Sequence, residues 1–82
     1  MGEVVRTLQL HSVYKHFKGN YYYVEAVARD SETEGSLVIY RKLYGDRTLW
    51  ARPVEMFLSP VDKHKYPDVE QTYRFEEVPF GD

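Results

Sequence analysis

The sequence predicts a single, mainly β domain, and three observations support this prediction. The chain has 82 residues, which is the length of one small domain. Its apolar residues fall in short alternating segments separated by Gly, Asn, Asp and Ser, as in strands joined by tight turns. Aromatic residues make up 16% of the chain, and cysteine is absent. Large rings must therefore supply much of the buried area, because no disulfide can support so small a core.

Five segments have the composition and alternation of strands: residues 13–17, 21–29, 36–43, 48–52 and 72–78. The first two are joined by Lys18-Gly19-Asn20, whose glycine and asparagine tolerate the positive φ of a hairpin turn. In the second segment, alternation predicts that four residues share the core face: Tyr22, Val24, Ala26 and Ala28. The connections are short, so we expect neighbouring strands to be antiparallel.

Between the fourth and fifth strands, the sequence predicts one helical turn followed by an exposed loop. Pro53 suits the start of a helix, because the first amide groups of a helix have no partner within it and proline has no N–H to leave unpaired. Glu55 complements the positive end of the helix dipole. Met56 and Phe57 are then expected to plug the open end of the sheet. Residues 61–71 are mostly polar, so they are expected to form a solvated loop.

Five short strands in so small a chain favour a strongly bent, partly open antiparallel barrel of the SH3-like type, because closure hides the edge strands. An open sheet would instead expose tyrosine and aliphatic side chains on its outer face, in which case we expect a homodimer rather than a monomer. The expected division is an N-terminal extension at residues 1–12, the domain at residues 13–78 and a C-terminal tail at residues 79–82. The extension carries a weak apolar pattern at Val4, Val5 and Leu8.

Composition argues against several functional classes. The formal net charge of −2 is unlike the basic character of proteins that bind nucleic-acid backbones. The sequence shows no signal peptide and no membrane-spanning run, which predicts a cytoplasmic protein. Its three histidines, at positions 11, 16 and 64, lack the spacing of metal ligands. We therefore expect no metal and no cofactor, and the lack of any catalytic motif favours a protein that is not an enzyme.

Several short motifs follow one another in an order that resembles a known family. They are Tyr14-x-His16-x-Lys18-Gly19, Tyr22-x-Val24, Ala28-Arg29-x-Ser31-Glu32-Thr33, Val38-x-Tyr40, Leu43-Tyr44-Gly45, Trp50-x-Arg52-Pro53-x-x-Met56-Phe57 and Arg74-Phe75. From about Tyr14 to Phe75 the chain resembles the bacterial domain-of-unknown-function family 1653. The resemblance implies a small cytosolic protein or domain with no settled activity. The family's usual histidine after the arginine is Asp30 here, which weakens the case for a paired basic site around Arg29.

The candidate site begins with Trp50 and Arg52, which lie two residues apart on one strand and so share a face. Arg52 either stacks on an aromatic ring, binds a carboxylate or phosphate through its planar fork, or pairs with Glu55. His16 precedes Lys18 at the first turn. Either these two residues and Arg52 form a niche for an anionic group, or His16 is structural and bonds the backbone of the turn.

Arg29 and Thr33 flank the polar link between the second and third strands, where they either join the site or close the turn through side-chain hydrogen bonds. The sequence thus favours a non-enzymatic module that binds an anionic ligand, which could be a small metabolite, a nucleotide or an acidic peptide group. The predicted ligand-binding residues are His16, Lys18, Arg29, Thr33, Trp50 and Arg52. One alternative is binding of RNA or single-stranded nucleic acid through the surface rings Tyr21, Tyr23 or Trp50 and the basic residues beside them, Lys15, Lys18, Arg41, Lys42 and Arg47. Another is a small enzyme that uses His16.

Overall fold

The computed structural model describes residues 6–79 and contains one curved, five-stranded antiparallel sheet with one helical turn. The strands are β1 (Val13–His16), β2 (Tyr21–Arg29), β3 (Ser36–Lys42), β4 (Leu49–Pro53) and β5 (Phe75–Glu77), and the helix α1 is Val54–Phe57. The predictions of a mainly β fold, five antiparallel strands and one helical turn are confirmed. Val4, Val5 and most of the predicted tail lie outside the described residues. No helix within residues 6–79 is long and apolar enough to cross a membrane.

The sheet is not closed into a barrel. Its order is β4-β3-β2-β1-β5, so β4 and β5 are the two edges, and they do not pair with each other. The prediction of a barrel is therefore confirmed only in its coarser form, a bent antiparallel sheet, and its SH3-like character stays a prediction. β5 has only three residues, and the segment just before it pairs with the residues after α1 instead, through an isolated antiparallel bridge between Pro60 and Tyr73. The homodimer expected for an open sheet also stays a prediction.

Aromatic rings on the inner face of the sheet form most of the core. Phe57 from α1 and Phe75 from β5 are both buried and stack at 4.1 Å between ring centroids. The other buried members of the cluster are Tyr14, Val24, Val38 and Tyr40. Of the two residues expected to plug the open end, only Phe57 does so, because Met56 is 47% exposed. The buried rings give this small chain much of the apolar area that its stability requires.

A β-bulge in β2 corrects the predicted core face of that strand. The pairing with β3 shifts register between Val24 and Ala26, so one extra residue enters the strand and reverses the alternation beyond it. Val24 is buried as predicted and Tyr22 is half-buried, but Ala26 and Ala28 are exposed. The bend that the bulge introduces also increases the curvature of the sheet.

The described part of the N-terminal extension packs on the domain. The guanidinium of Arg6 donates hydrogen bonds to the carbonyl oxygens of Leu58 at 2.8 Å and Phe75 at 2.7 Å. The same group lies 4.0 Å from the centroid of the Tyr73 ring. Leu8 packs against the core cluster. Residues 6–11 thus form no helix or strand but are fixed by long-range contacts.

Candidate functional site

A recess of about 300 Å³ lies where the β1–β2 turn meets β4 and the loop after α1. We call it the cationic recess, because four of its lining side chains are cationic and only one is acidic. The cationic residues are Lys18, Arg52, Lys65 and Arg74, the acidic one is Asp62, and His16 also contributes. The recess therefore brings together three of the residues predicted from the sequence, His16, Lys18 and Arg52.

No carboxylate of the described residues forms an ion pair with these cations. Within residues 6–79 there are two ion pairs, Arg41 with Glu25 and Lys42 with Asp46, and neither involves the cationic recess. The Asp62 carboxylate accepts hydrogen bonds from the backbone amides of His64 and Lys65. The local excess of positive charge is thus left available to an external group, on a chain whose net charge is −2.

Arg52 is held by its neighbours without being paired. Its Nε donates to the hydroxyl of Tyr40 at 3.3 Å, and its guanidinium carbon lies 5.6 Å from the ring centroid of Phe75. Neither of the internal partners proposed from the sequence is observed among the described residues: Arg52 forms no ion pair with Glu55 and no cation–π contact with Trp50. Its two terminal amino groups make no hydrogen bond within residues 6–79, so they can form a planar fork with an anion.

His16 is tied to the hairpin turn. Its Nδ1 accepts a hydrogen bond from the backbone amide of Lys18 at 3.1 Å, and Gly19 completes the turn with a φ of +107°. The His16 ring packs edge-on against the Phe75 ring, with 4.8 Å between the ring centroids. Burial, together with the positive charges of Arg52, Lys18 and Arg74, lowers the pKa of His16 to about 4. The ring is therefore neutral at pH 7, with its proton on Nε2.

A second recess of about 180 Å³ adjoins the first, since Arg52 lines both. We call it the aromatic recess, and its other lining residues are Tyr22, Tyr40, Lys42, Tyr44 and Trp50. Trp50 and Arg52 share the inner face of β4, as the alternation predicted, and pair with Tyr40 and Val38 of β3. The indole N–H of Trp50 donates to the Thr48 hydroxyl at 2.9 Å.

Arg29 and Thr33 are not brought to either recess. Arg29 donates to the carbonyl oxygen of Glu34 at 3.1 Å, and the amide of Gly35 donates to the Thr33 hydroxyl at 3.1 Å. Both side chains therefore close the β2–β3 connection, which was the structural alternative for these residues.

Sequence reasoning missed Arg74 and Lys65 as members of the cationic recess. Arg74 was visible only as part of the Arg74-Phe75 motif, and Lys65 carried no signal because it lies in a polar loop. Among the described residues, no group of three or more His, Cys, Asp or Glu side chains is placed to hold a metal ion.

A family model with the description "Protein of unknown function (DUF1653)" matches residues 12–77. The match spans all five strands and includes every residue that lines the two recesses. It confirms the resemblance seen in the order of the motifs. No significant match to a curated protein or to a solved structure was found.

Proposed function

This chain belongs to the DUF1653 family, whose description assigns no activity, and we propose that it is a non-enzymatic module that binds an anionic ligand in the cationic recess. One observation carries the proposal: four cationic side chains line one concavity with a single carboxylate, on a chain with a net negative charge. Like charges held close together repel, and a bound anion relieves that repulsion. A concave site also focuses the field of its charges and so attracts an anion.

The chemistry of the lining suits a phosphate or a carboxylate. Arg52 offers two terminal amino groups in one plane, which can donate parallel hydrogen bonds to two oxygen atoms. Lys18 and Lys65 add mobile point charges at the rim, where both side chains are exposed. The neutral His16 ring adds a single donor at Nε2.

The surroundings of His16 support binding rather than catalysis. The only hydrogen bond of its imidazole ring within residues 6–79 is accepted from a backbone amide, so no second titratable side chain is hydrogen-bonded to the ring to exchange a proton with it. A general base works best when its pKa lies near the operating pH, and the pKa of about 4 makes His16 a weak base at pH 7.

Binding of a nucleic-acid strand receives less support. Tyr21 and Tyr23 alternate with the inward-facing Tyr22, so these two predicted stacking platforms lie on the outer face of the sheet, away from both recesses. Among the predicted basic partners, Arg41 and Lys42 are already paired with acidic side chains. Of the three predicted platforms, Trp50 alone lines the cationic or the aromatic recess.

The proposal is tested by calorimetric titration of the protein with inorganic phosphate and with acetate. Arg74→Gln is the main variant, because the Arg74 side chain makes no hydrogen bond within residues 6–79 and its removal should leave the fold intact. A hydrogen bond to a charged group contributes about 1.5–3 kcal/mol, so we expect the phosphate affinity to fall about tenfold or more. Arg52→Gln should have a similar effect on affinity. The matched control is Arg47→Gln, which removes an exposed charge outside both recesses.

Two results would contradict the proposal. One is that neither phosphate nor acetate binds at millimolar concentration. The other is that Arg74→Gln, shown to be folded by circular dichroism, binds phosphate as well as the unmodified protein does. Salt dependence separates the nucleic-acid alternative, because a strand that contacts several phosphates loses affinity steeply with added salt, whereas a single small anion loses little.

A further inference from the structure

The two recesses adjoin each other, since Arg52 lines both. The cationic recess carries the excess charge. In the aromatic recess, by contrast, the Lys42 ammonium is paired with Asp46 at 3.3 Å and lies 4.7 Å from the centroid of the Tyr44 ring. The aromatic recess is therefore suited to an uncharged group adjoining the anion rather than to a second anion.

Trp50 supplies a flat surface in this second recess. It is 52% exposed, although it points to the inner face of the sheet, where Tyr40 and Phe75 are buried. Its hydrogen bond to the Thr48 hydroxyl fixes the orientation of the indole ring. Within residues 6–79, no other aromatic ring and no cation packs on its face. Such a ring, held in place but uncovered, can stack against a planar ligand group at little cost in side-chain entropy.

Tyrosine hydroxyls provide polar partners beside this surface. The hydroxyls of Tyr22 and Tyr44 lie 2.9 Å apart and share one hydrogen bond, which leaves each with further capacity to donate or accept. Burial and the neighbouring Tyr44 raise the pKa of Tyr22, so its phenol stays protonated at pH 7. An aromatic ring that carries nitrogen or oxygen atoms therefore fits the aromatic recess better than a purely apolar ring.

We infer that the ligand is a nucleotide, with its phosphate in the cationic recess, its base on Trp50 in the aromatic recess, and Arg52 between them. This inference rests on the proposed function and names the ligand class of the same site. A free mononucleotide and the end of a single-stranded nucleic acid present the same chemical groups, so the experiment includes both.

The test compares three probes that divide the ligand: AMP, ribose 5-phosphate and adenosine. Affinities come from calorimetry and from the fluorescence of Trp50, which is the only tryptophan in the chain. We expect AMP to bind more tightly than either fragment and to quench the fluorescence. Trp50→Leu should weaken AMP binding roughly 5- to 150-fold, the range measured for loss of stacking on one base, and leave ribose 5-phosphate binding unchanged. Trp50→Phe keeps an aromatic ring, so its affinity for AMP should fall less.

The possible outcomes separate this inference from the proposed function. If ribose 5-phosphate binds as tightly as AMP, or if folded Trp50→Leu binds AMP normally, the nucleotide assignment is wrong while anion binding stands. If neither phosphate compound binds, the nucleotide assignment is wrong, and the proposed function is wrong as well if acetate also fails to bind. A short oligoadenylate that binds more tightly than AMP identifies a strand end as the source of the nucleotide, and one that binds no more tightly identifies the free nucleotide.

Discussion

The free energy of unfolding should fall as the pH falls from 7 to 5, because the folded protein holds His16 in its neutral form. Burial and the nearby cations depress the pKa of His16 from 6.5 to about 4. Between these two values the unfolded chain binds a proton that the folded chain does not, so acid favours the unfolded state. Stability from this group is therefore fully present above pH 6.5 and is lost progressively towards pH 4.

The size of the effect follows from the same two pKa values. At pH 5 the unfolded ring is almost fully protonated, while the folded ring is mostly neutral. For each pH unit below the pKa of the unfolded chain, the free energy of unfolding falls by about 1.4 kcal/mol, which amounts to a loss of about 2 kcal/mol at pH 5. Because the ring is only partly buried, we expect about 1–2 kcal/mol after solvent screening.

The assay is urea unfolding at pH 7 and pH 5 in a buffer without phosphate, for the unmodified protein and for His16→Asn. Asparagine can still accept the backbone amide of Lys18, as His16 does, but it does not titrate. The unmodified protein should lose more stability between the two pH values than the variant does. Equal losses of stability for the two proteins, or a pKa near 6.5 for His16 by NMR titration, would show that the folded protein does not hold this ring neutral.

Two further predictions concern the core and the first turn. Phe57→Ala should lower the free energy of unfolding by about 3–5 kcal/mol, because it removes a fully buried ring, whereas the neighbouring Met56→Ala should cost less than about 1 kcal/mol. Equal losses in urea unfolding would contradict the assigned burial. Gly19→Ala should cost about 1–3 kcal/mol through backbone strain alone, since φ is +107° and an added Cβ meets no atom within 4 Å. An unchanged urea midpoint for this variant would contradict the turn geometry.

Local sequence patterns predicted the strands well, because alternation and turn residues act over a few positions. The same local chemistry brought His16 and Lys18 together across one hairpin turn. The bulge between Val24 and Ala26 left no signal, since no glycine or proline marks its position in the sequence. One inserted residue was therefore enough to make the predicted core face of β2 wrong in its second half.

The convergence of Arg52 and Arg74 depends on the whole sheet. Arg52 is on β4, at one edge, and Arg74 immediately precedes β5, at the other edge, so the curvature of the sheet is needed to bring them to one recess, together with the hydrogen bond from the Arg74 amide to Ser59 after α1. No spacing along the chain encodes that curvature. Arg29 and Thr33 show a different difficulty, because polar residues that resemble a binding motif can serve only to close the turn in which they lie. Residue type alone did not distinguish that role from binding.

Arg6 bears on how the protein should be produced and fused for laboratory work. It lies six positions before the family match, which begins at residue 12, yet its guanidinium bridges the carbonyl oxygens of Leu58 and Phe75. A shortened protein cut at the limits of the match would leave those two oxygen atoms to water and uncover the ring of Tyr73. The contacts of the domain therefore extend beyond the family match, and truncations or fusion joints belong before Arg6.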